Sequence, residues 1–230
     1  MLGGLAWRKT SLIDFPGRVA AVLFLSGCTF RCPYCHNPEL VGRGGGAPGA
    51  GLGEFLIFLD RRASLISGLV ISGGEPLLHE ETPRIAEAAR ARALAVKLDT
   101  NGYFPERIAP VRADYVALDF KTAPEHYDRV APGLPDAGER VLESLRRVRE
   151  GGTEFEIRIT CAPDIVGIEE LEAMAAYLEP ADRVILQPFR PGECLDPDWN
   201  LRKPHDGAYL DRMLARLRIR VPGARIRGRM

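Results

Sequence analysis

The chain of 230 residues has no long hydrophobic run and no excess of either charge. Its longest uninterrupted apolar stretch, Val19–Leu25, has seven residues, far short of the roughly 20 that a membrane-spanning helix needs. Lysine plus arginine number 31, and aspartate plus glutamate also number 31. The net charge therefore gives no reason to expect a nucleic-acid or membrane partner.

Residues 1–15 lack an apolar segment of signal-peptide length, so we expect a cytoplasmic protein. The hydrophobic fraction of 46% and the charged fraction of 27% are those of an ordinary folded protein. They exclude a disordered, collagen-like or coiled-coil chain. The length fits one compact unit, and we expect a single domain over residues 1–230.

Cysteine is scarce, yet three of the five cysteines, Cys28, Cys32 and Cys35, fall within eight residues. A secreted disulfide framework would spread its cysteines along the chain, whereas local clustering favours a metal or redox centre. Three thiolates from one loop can bind three irons of a 4Fe-4S cluster and leave the fourth iron open. A structural zinc site completed by Cys161 or Cys194 is the alternative that the spacing leaves open.

Apolar runs of strand length alternate with helical patterns, which predicts parallel βαβ units. Six strands are too few for a complete eight-stranded barrel, which typically needs about 250 residues. The sequence therefore predicts an α/β fold, a partial (three-quarter) TIM-type barrel of about six βα units, with a doubly wound sheet as the alternative. The predicted strands are Val19–Leu25, Gly68–Ser72, Ala95–Asp99, Asp114–Lys121, Glu154–Cys161 and Arg183–Phe189. The predicted helices are Leu52–Ile66, Glu81–Ala93, Asp136–Glu150, Ile168–Leu178 and Asp206–Leu217.

Two of the predicted strands carry charged side chains on one face. Because side chains alternate along a strand, Asp119 and Lys121 share a face of the fourth strand, and Arg158 lies on the polar face of the fifth. A filled barrel interior would be apolar. These faces therefore predict a lumen that holds a polar ligand, with a solvated sheet edge as the alternative.

Two polar motifs close other predicted strands. The glycines of Ser72-Gly73-Gly74-Glu75-Pro76 would let backbone approach a ligand, and Glu75 offers an acceptor for an ammonium group. In Asp99-Thr100-Asn101-Gly102, the last two residues are typical of a turn. Because parallel α/β folds build their sites at the carboxyl ends of strands, these motifs and the cysteines are predicted to form one site.

The spacing C-x3-C-x-aromatic-C resembles the signature of the radical S-adenosylmethionine (radical SAM) enzymes. With KTSLIDFPG at 9–17, CTFRCPYCHNPELV at 28–41 and SGGEPLL at 72–78, the chain is most similar to the glycyl-radical-enzyme activating enzymes, above all those of anaerobic ribonucleoside-triphosphate reductase. The resemblance implies an oxidoreductase that cleaves S-adenosylmethionine at one 4Fe-4S cluster and generates a glycyl radical on a partner enzyme. It also implies an anaerobic setting and a low-potential reductant such as flavodoxin or ferredoxin.

The same resemblance implies roles for individual residues. Cys28, Cys32 and Cys35 would ligate the cluster, and Asp119 and Lys121 would be catalytic residues between the cosubstrate and the incoming glycyl loop. A monovalent cation at Asp99 and Thr100 would lie beside the cosubstrate carboxylate. The cosubstrate would be bound by Tyr34, His36, Gly73, Gly74, Glu75, Asp99, Thr100 and Arg158.

Three segments are predicted within the domain: a cluster loop at 26–38, a flexible glycine-rich loop at 42–53 and a basic C-terminal tail at 201–230. The tail carries nine lysines or arginines against two acids. It is either a solvated segment or a docking edge for an acidic partner or nucleic acid.

Alternative functions remain open at this point. The cysteine and GGEP motifs concern the cosubstrate, so a radical SAM enzyme that modifies a small molecule or nucleoside is the nearest alternative. An iron–sulfur electron-transfer protein and a zinc-stabilised binding module are the others. The electron-transfer protein would need neither an open iron nor GGEP.

Overall fold

The computed structural model of the protein describes residues 5–42 and 51–228. In these ranges eight strands form one open sheet that follows the order of the chain. The first two strands are antiparallel and all later neighbours are parallel. The strands are β1 (Leu5–Ser11), β2 (Ala20–Leu25), β3 (Gly68–Gly73), β4 (Ala95–Thr100), β5 (Tyr115–Asp119), β6 (Glu154–Cys161), β7 (Val184–Pro188) and β8 (Arg225–Ile226).

Helices connect the parallel strands, as the βαβ pattern predicts. In the described ranges they are α1 (Pro38–Val41), α2 (Leu52–Arg62), α3 (Thr82–Arg90), α4 (Pro105–Val111), α5 (Ala137–Glu150), α6 (Ile168–Ala175) and α7 (Gly207–Arg220). Three short 3-10 turns cover Pro76–Leu78, Pro124–Arg129 and Pro197–Trp199. None of the helices described is long and apolar enough to cross a lipid bilayer.

The α/β partial barrel is confirmed, because β1 and β8 remain two separate edges of the sheet. A doubly wound sheet would reverse its strand order at a switch point, and this sheet does not. The six predicted strands correspond to β2–β7, with boundaries that differ by at most two residues. Lys121 therefore lies just beyond the end of β5 rather than within it.

The sequence prediction missed β1, β8, α4 and the four-residue helix α1. In β1 the residues Arg8 to Thr10 are all exposed, so this edge strand lacks the alternation of a half-buried strand. Strand β8 has only two residues. Helix α4 contains Pro105 and Pro110, and proline argues against a helix in a sequence-based prediction.

The two faces of the sheet have different partners. On the convex face, Leu23 and Leu25 of β2 belong to the same buried cluster as Phe55 of α2 and Ile85 of α3. On the concave face, Val22 and Val70 pack with Phe15 and Tyr115, whose ring centroids are 6.2 Å apart. Phe15 follows β1, and this cluster forms an apolar floor to the lumen. The polar residues of the concave face lie above that floor.

The structure bears on two of the predicted segments, the glycine-rich loop and the C-terminal tail. Residues 43–50 of the glycine-rich loop lie outside the described residues, and Leu52 and Gly53 already belong to α2. Residues 201–228 are not a detached tail, because α7 packs against α6 and β8 joins the sheet. Arg227 even reaches the buried Glu156 of β6, with both terminal nitrogens on its carboxylate at 2.8 and 2.5 Å.

Candidate active site

The three clustered cysteines lie in a loop that other parts of the chain hold in place. The Gly27 amide donates to the Leu40 carbonyl at 2.7 Å, and the Arg31 amide donates to the Val130 carbonyl at 2.7 Å. The carbonyl of Cys35 accepts from the Leu195 amide at 3.0 Å. The loop is thus fixed at its start, its middle and its end, which orders the thiols in advance.

Gly73 and Gly74 permit a close approach of the chain to itself. Gly73 has φ +136°, and a Cβ there would lie 2.1 Å from the Leu25 carbonyl oxygen. A Cβ on Gly74 would lie 2.2 Å from the Gly27 carbonyl oxygen. The Glu75 amide donates to that same oxygen at 2.8 Å. The glycines therefore let the end of β3 dock against the base of the cluster loop, where any side chain would collide.

Glu75 is fully buried and both of its carboxylate oxygens are engaged within the protein. One oxygen accepts from the Leu77 amide at 2.9 Å and from the Thr100 hydroxyl at 2.8 Å, and the other accepts from the Asn101 amide at 2.7 Å. Burial raises the pKa of Glu75 to about 7 in spite of these three donors. We call this group, which joins the end of β3 to the end of β4, the Glu75 tie.

Asn101 is a site residue that the sequence prediction took for a turn residue only. Its side-chain oxygen does accept from the Tyr103 amide at 2.9 Å, as in such a turn. This bond orients the side-chain amide, and the nitrogen lies 3.6 Å from the Cys28 sulfur and 3.3 Å from the Thr29 hydroxyl. Its position directly after Asp99 and Thr100 at the end of β4 is the one sequence signal for this role.

Most of the predicted site residues line one cavity of about 310 Å³ at the carboxyl ends of the strands. Glu75 and Thr100 are the exceptions, because they lie behind its wall in the Glu75 tie. Phe30, Asn37, Val41, Ser72, Asn101, Thr160 and Gln187 line it without having been predicted. The predicted residues in its wall are Cys28, Cys32, Cys35, Tyr34, His36, Gly73, Gly74, Asp99, Asp119, Lys121 and Arg158.

Arg158 links two aspartates from neighbouring strands. It pairs directly with Asp119 across the sheet, with its Nε 2.7 Å from one carboxylate oxygen. Its Nη1 reaches across β5 to Asp99 at 3.1 Å, over the small side chain of Ala117. The second oxygen of Asp119 accepts from the Lys121 ammonium at 3.0 Å. The charged lumen predicted from the strand faces is therefore present, and it lies within the fold.

A fifth ionic residue, Lys97 of β4, completes this arrangement by pairing with Asp99. We call Lys97, Asp99, Arg158, Asp119 and Lys121 the charged row, in which the sign of the charge alternates. Burial alone would raise the pKa of Asp119, but the charges of Arg158 and Lys121 outweigh it and lower that pKa to about 2. In the same way, Asp119 raises the pKa of Lys121 and Arg158 against the effect of their burial. These three groups are ionised at neutral pH.

The two predicted aromatic-ring residues of the cluster loop differ in their surroundings. Tyr34 is buried beside Trp199, with ring centroids 5.7 Å apart, and its hydroxyl has no hydrogen-bond partner within the described residues. His36 stacks on Phe189 at 5.8 Å, and its Nε2 donates to the Arg190 carbonyl at 2.5 Å. Tyr34 is thus a buried residue of the cavity wall, whereas His36 is an exposed one.

A larger cavity of about 670 Å³ adjoins the first and shares His36, Arg158, Thr160 and Gln187 with it. It reaches both edges of the open sheet, because its wall includes Asp14, which follows β1, and Gly228, which follows β8. Its wall also carries the cations Lys97, Arg158, Arg190 and Arg227. The space above the strand ends is therefore continuous with the gap between the two sheet edges.

The cysteine loop fits an iron–sulfur cluster. No three His, Cys, Asp or Glu side chains of the described chain are grouped so as to hold a metal ion. A cluster differs from a single ion, because each cysteine binds a different iron and the thiols need only face one shared volume. Cys28, Cys32 and Cys35 do face one cavity, with the Asn101 amide beside the first sulfur. Cys161 and Cys194 are buried elsewhere and are not among the residues that line it.

The protonation of these thiols also fits a site that is completed by metal. Burial, with a contribution from the charge of Glu75, raises the pKa of Cys28 to about 11. Burial raises the pKa of Cys32 to about 12. Both groups therefore carry protons in the metal-free chain, and binding iron would release them because the thiolate is the ligand.

The fold is an open α/β barrel, and its candidate site joins a loop with three cysteines to charged side chains at the strand ends. Residues 22–178 match the Radical SAM superfamily, and the chain belongs to that family. It is therefore a radical SAM enzyme, and membership implies a 4Fe-4S cluster and S-adenosylmethionine.

Three relatives are similar to most of this chain. A Methanocaldococcus jannaschii protein, provisionally named a glycyl-radical enzyme activating enzyme, is 32% identical over 197 residues, 82% of this chain and 80% of its own. The pyruvate formate-lyase-activating enzyme of Clostridium pasteurianum is 28% identical over 79% of each chain. The 7-carboxy-7-deazaguanine synthase of Methanopyrus kandleri is 27% identical over 73% of this chain and 75% of its own. The relatives thus include two proteins named as activating enzymes and one named as a 7-carboxy-7-deazaguanine synthase.

Among solved structures, QueE from Escherichia coli is similar over 99% of this chain and 93% of its own, with a TM-score of 0.55 and 17% identity. At that identity the likeness concerns the fold alone, and it supports the open barrel described above.

Proposed function

We propose that this radical SAM enzyme generates a glycyl radical on a partner enzyme, with anaerobic ribonucleotide reductase as the first candidate. The observation that carries the proposal is the single cavity that joins three thiols to the charged row. That cavity continues into the gap between β1 and β8, where a loop of another protein can enter. The relatives named as activating enzymes support the same substrate class.

We assign the cluster to Cys28, Cys32 and Cys35. A cluster held by these thiols would supply the electron for reductive cleavage of S-adenosylmethionine, and that cleavage would supply the chemistry that removes a hydrogen atom from the glycine Cα. The cosubstrate is held by Tyr34, His36, Gly73, Gly74, Asp99 and Arg158, all of which line the cavity. Glu75 and Thr100 contribute from behind the wall, because they fix the strand ends that carry Gly74 and Asn101.

Asp119 and Lys121 are assigned to the side of the cavity where the glycyl loop meets the cosubstrate. Their mutual hydrogen bond at 3.0 Å and the contact of Asp119 with Arg158 hold both charges in place. Fixed charges need no reorganisation during a reaction, so they can orient the peptide group of the incoming glycine. A low-potential flavodoxin or ferredoxin is the proposed reductant. The proposal also includes a cytoplasmic location and one working domain.

A second candidate is a radical SAM enzyme that acts on a small molecule. The likeness to a 7-carboxy-7-deazaguanine synthase over 73% of this chain favours it. The cavity of about 670 Å³ is also within the range of roughly 300–1,000 Å³ in which small ligands bind.

The first test is anaerobic reconstitution with iron and sulfide, followed by reduction with dithionite and addition of S-adenosylmethionine. We expect 5'-deoxyadenosine from the intact protein and none from a variant with Cys28, Cys32 and Cys35 changed to alanine. A brown protein that never cleaves the cosubstrate would favour electron transfer. A colourless protein that contains zinc would overturn the assignment of the cluster.

The partner is then tested by adding a reduced anaerobic ribonucleotide reductase and recording its electron paramagnetic resonance spectrum. We expect the doublet of a glycyl radical, which disappears when the glycine of that partner is changed to alanine. Cosubstrate cleavage without a radical on any glycyl-radical enzyme supplied would favour the small-molecule candidate.

A further inference from the structure

We propose that the ammonium group of Lys97 supplies the positive charge beside Asp99 for which the family resemblance implies a bound monovalent cation. Binding of S-adenosylmethionine by this enzyme should then require neither potassium nor sodium. The inference rests on the cosubstrate site proposed above, but it does not depend on the identity of the partner.

The geometry places this lysine inside the protein rather than at its surface. Lys97 is 2% exposed, and its ammonium contacts one carboxylate oxygen of Asp99, two residues further along β4. Both side chains project to the concave face, because residues two apart on a strand share a face. The lysine therefore approaches Asp99 from the lumen side, at the wall of the larger cavity.

The carboxylate oxygens that such a cation would need already have cationic partners from the chain. The second oxygen of Asp99 accepts from Arg158, and the two oxygens of Asp119 accept from Arg158 and Lys121. The hydroxyl of Thr100 donates to Glu75 and accepts from the Gly102 amide. Each carboxylate oxygen of the charged row is thus paired with a cation of the chain itself. A metal cation brought among these groups would be repelled by the nearby ammonium and guanidinium charges.

Lysine suits this task better than arginine would. Its ammonium is a compact point charge, whereas the guanidinium of arginine is a broad plane. The chain contains only four lysines among its 31 basic residues, so a lysine in the lumen departs from the general preference of this sequence. The ring of Tyr115 lies under the ammonium at 5.9 Å from its centroid, which adds a cation–π contact at a desolvated position.

Lys97 is therefore a positioning residue for Asp99. Lys97 holds one oxygen of Asp99 while Arg158 holds the other, so the orientation of this carboxylate in the wall of the smaller cavity is determined from both sides. Without Lys97, one Asp99 oxygen would be left without its partner in a largely buried place. The unpaired, negatively charged Asp99 oxygen could then attract a potassium or ammonium ion into the space that the Lys97 ammonium had occupied.

The test measures the affinity of the reconstituted, unreduced enzyme for S-adenosylmethionine by anaerobic equilibrium dialysis. One buffer contains choline and Tris as its only cations, and the others add potassium, sodium or ammonium chloride at equal ionic strength. We expect the dissociation constant of the wild-type enzyme to agree within about twofold in all buffers. For Lys97→Ala we expect it to rise about tenfold or more in choline, and to recover with potassium or ammonium.

Lys9→Ala is the matched control, because Lys9 is exposed on β1. It should leave both the affinity and the response to cations unchanged. Lys97→Met keeps most of the side-chain volume without the charge and should resist rescue, because the methyl group fills the place of the ion. Iron content and circular dichroism establish that each variant is folded and loaded.

Potassium that strengthens wild-type binding severalfold would overturn the proposal, and so would a Lys97→Ala enzyme that no cation rescues. If Lys97→Ala fails to fold, the wild-type series alone decides. Failure to activate any glycyl-radical enzyme would contradict the proposed function and leave these binding results intact, so the two failures are distinguishable.

Discussion

The Glu75 tie and the charged row both consist of polar groups at the carboxyl ends of the strands, yet they differ in what their hydrogen bonds reach. The tie connects Glu75 to backbone amides and to one hydroxyl, all buried. The charged row connects side chain to side chain, and Asp99, Asp119 and Arg158 remain partly exposed to the cavity. Groups that bond to backbone hold the fold, whereas groups that bond to one another and face a cavity remain available to a ligand.

This difference means that the two regions should respond differently to mutation. Changes in and around the tie should lower folding stability and cluster content together. Changes in the charged row should lower cosubstrate affinity while the cluster content is retained.

The largest effect is expected from Gly74→Ala. The new Cβ would lie 2.2 Å from the Gly27 carbonyl oxygen, and backbone on both sides leaves no flexible group that can move away. We expect a loss of about 3 kcal/mol or more in the free energy of unfolding, with poor iron incorporation, measured by urea denaturation and iron analysis. Gly53→Ala in α2 is the control, because a Cβ at that position would meet no described atom within 4 Å apart from its chain neighbours and its own helix backbone. Equal stability of the two variants would contradict the close approach.

The second largest loss of stability is expected from Glu75→Gln. One side-chain atom of glutamine becomes a donor and must face an amide or hydroxyl that also donates, which leaves a buried donor unpaired. We expect a loss of about 2 kcal/mol in the free energy of unfolding of the metal-free protein near neutral pH. Glu87→Gln, at an exposed position on α3, should change it little.

The pH dependence of that loss has a definite sign. The pKa of Glu75 is raised to about 7 from 4.5, so between these values the folded state binds more protons than the unfolded state. The contribution of Glu75 is therefore most favourable below about pH 4.5 and declines as the pH rises to about 7. Urea denaturation of the metal-free wild-type chain from pH 5 to 8 should show this decline, and Glu75→Gln should lack it. Parallel curves for the two proteins would count against the raised pKa.

Arg158→Lys should have a smaller effect on stability and a selective effect on binding. A lysine cannot span Asp99 and Asp119 as the guanidinium does at 3.1 and 2.7 Å. We expect a loss of about 1 kcal/mol in stability and a severalfold weaker affinity for S-adenosylmethionine, with normal iron content. Arg146→Lys, on the exposed face of α5, is the control. If the variant also loses iron, Arg158 supports the fold around the cluster, as the Glu75 tie does, and its role is not confined to binding.

Asn101→Leu should have the smallest effect, a change at the cluster together with a loss of about 1 kcal/mol in stability because the Tyr103 amide loses its acceptor. It removes the amide that lies 3.6 Å from the Cys28 sulfur. Hydrogen bonds to sulfur ligands raise the reduction potential of a cluster, so we expect the potential to fall by about tens of millivolts. A redox titration followed by electron paramagnetic resonance measures this. Asn37→Leu, in the same cavity wall, should leave the potential unchanged. An unaltered potential in Asn101→Leu would show that this contact does not persist in the loaded enzyme.

Much of the site could be predicted because its residues stand at strand ends. Once β3, β4, β5 and β6 are recognised, Gly74, Asp99, Asp119 and Arg158 must meet at one edge of the sheet. The cysteines follow β2 and meet them there. Local alternation also predicted the charged face of β5 and β6, which became part of the charged row.

The remainder depends on distances between residues far apart in the chain. Glu75 and Asn101 are separated by 26 residues, and only the folded structure shows that the carboxylate is used by the protein. Lys97 was missed although it is two residues from Asp99 on β4, the spacing that places Asp119 and Lys121 on one face. Strand β8 was missed since its two residues acquire their conformation by pairing with β7.

The sequence by itself determined the alternation of strands and helices, the family, and the loop that presents three cysteines, because these depend on local spacing. Only the tertiary structure decided which polar groups support the fold and which face the cavity. That distinction is set by burial and by hydrogen bonds across neighbouring strands. Glu75 and Asp99 are both acids at strand ends, and the first became a buried tie while the second became part of the cavity wall.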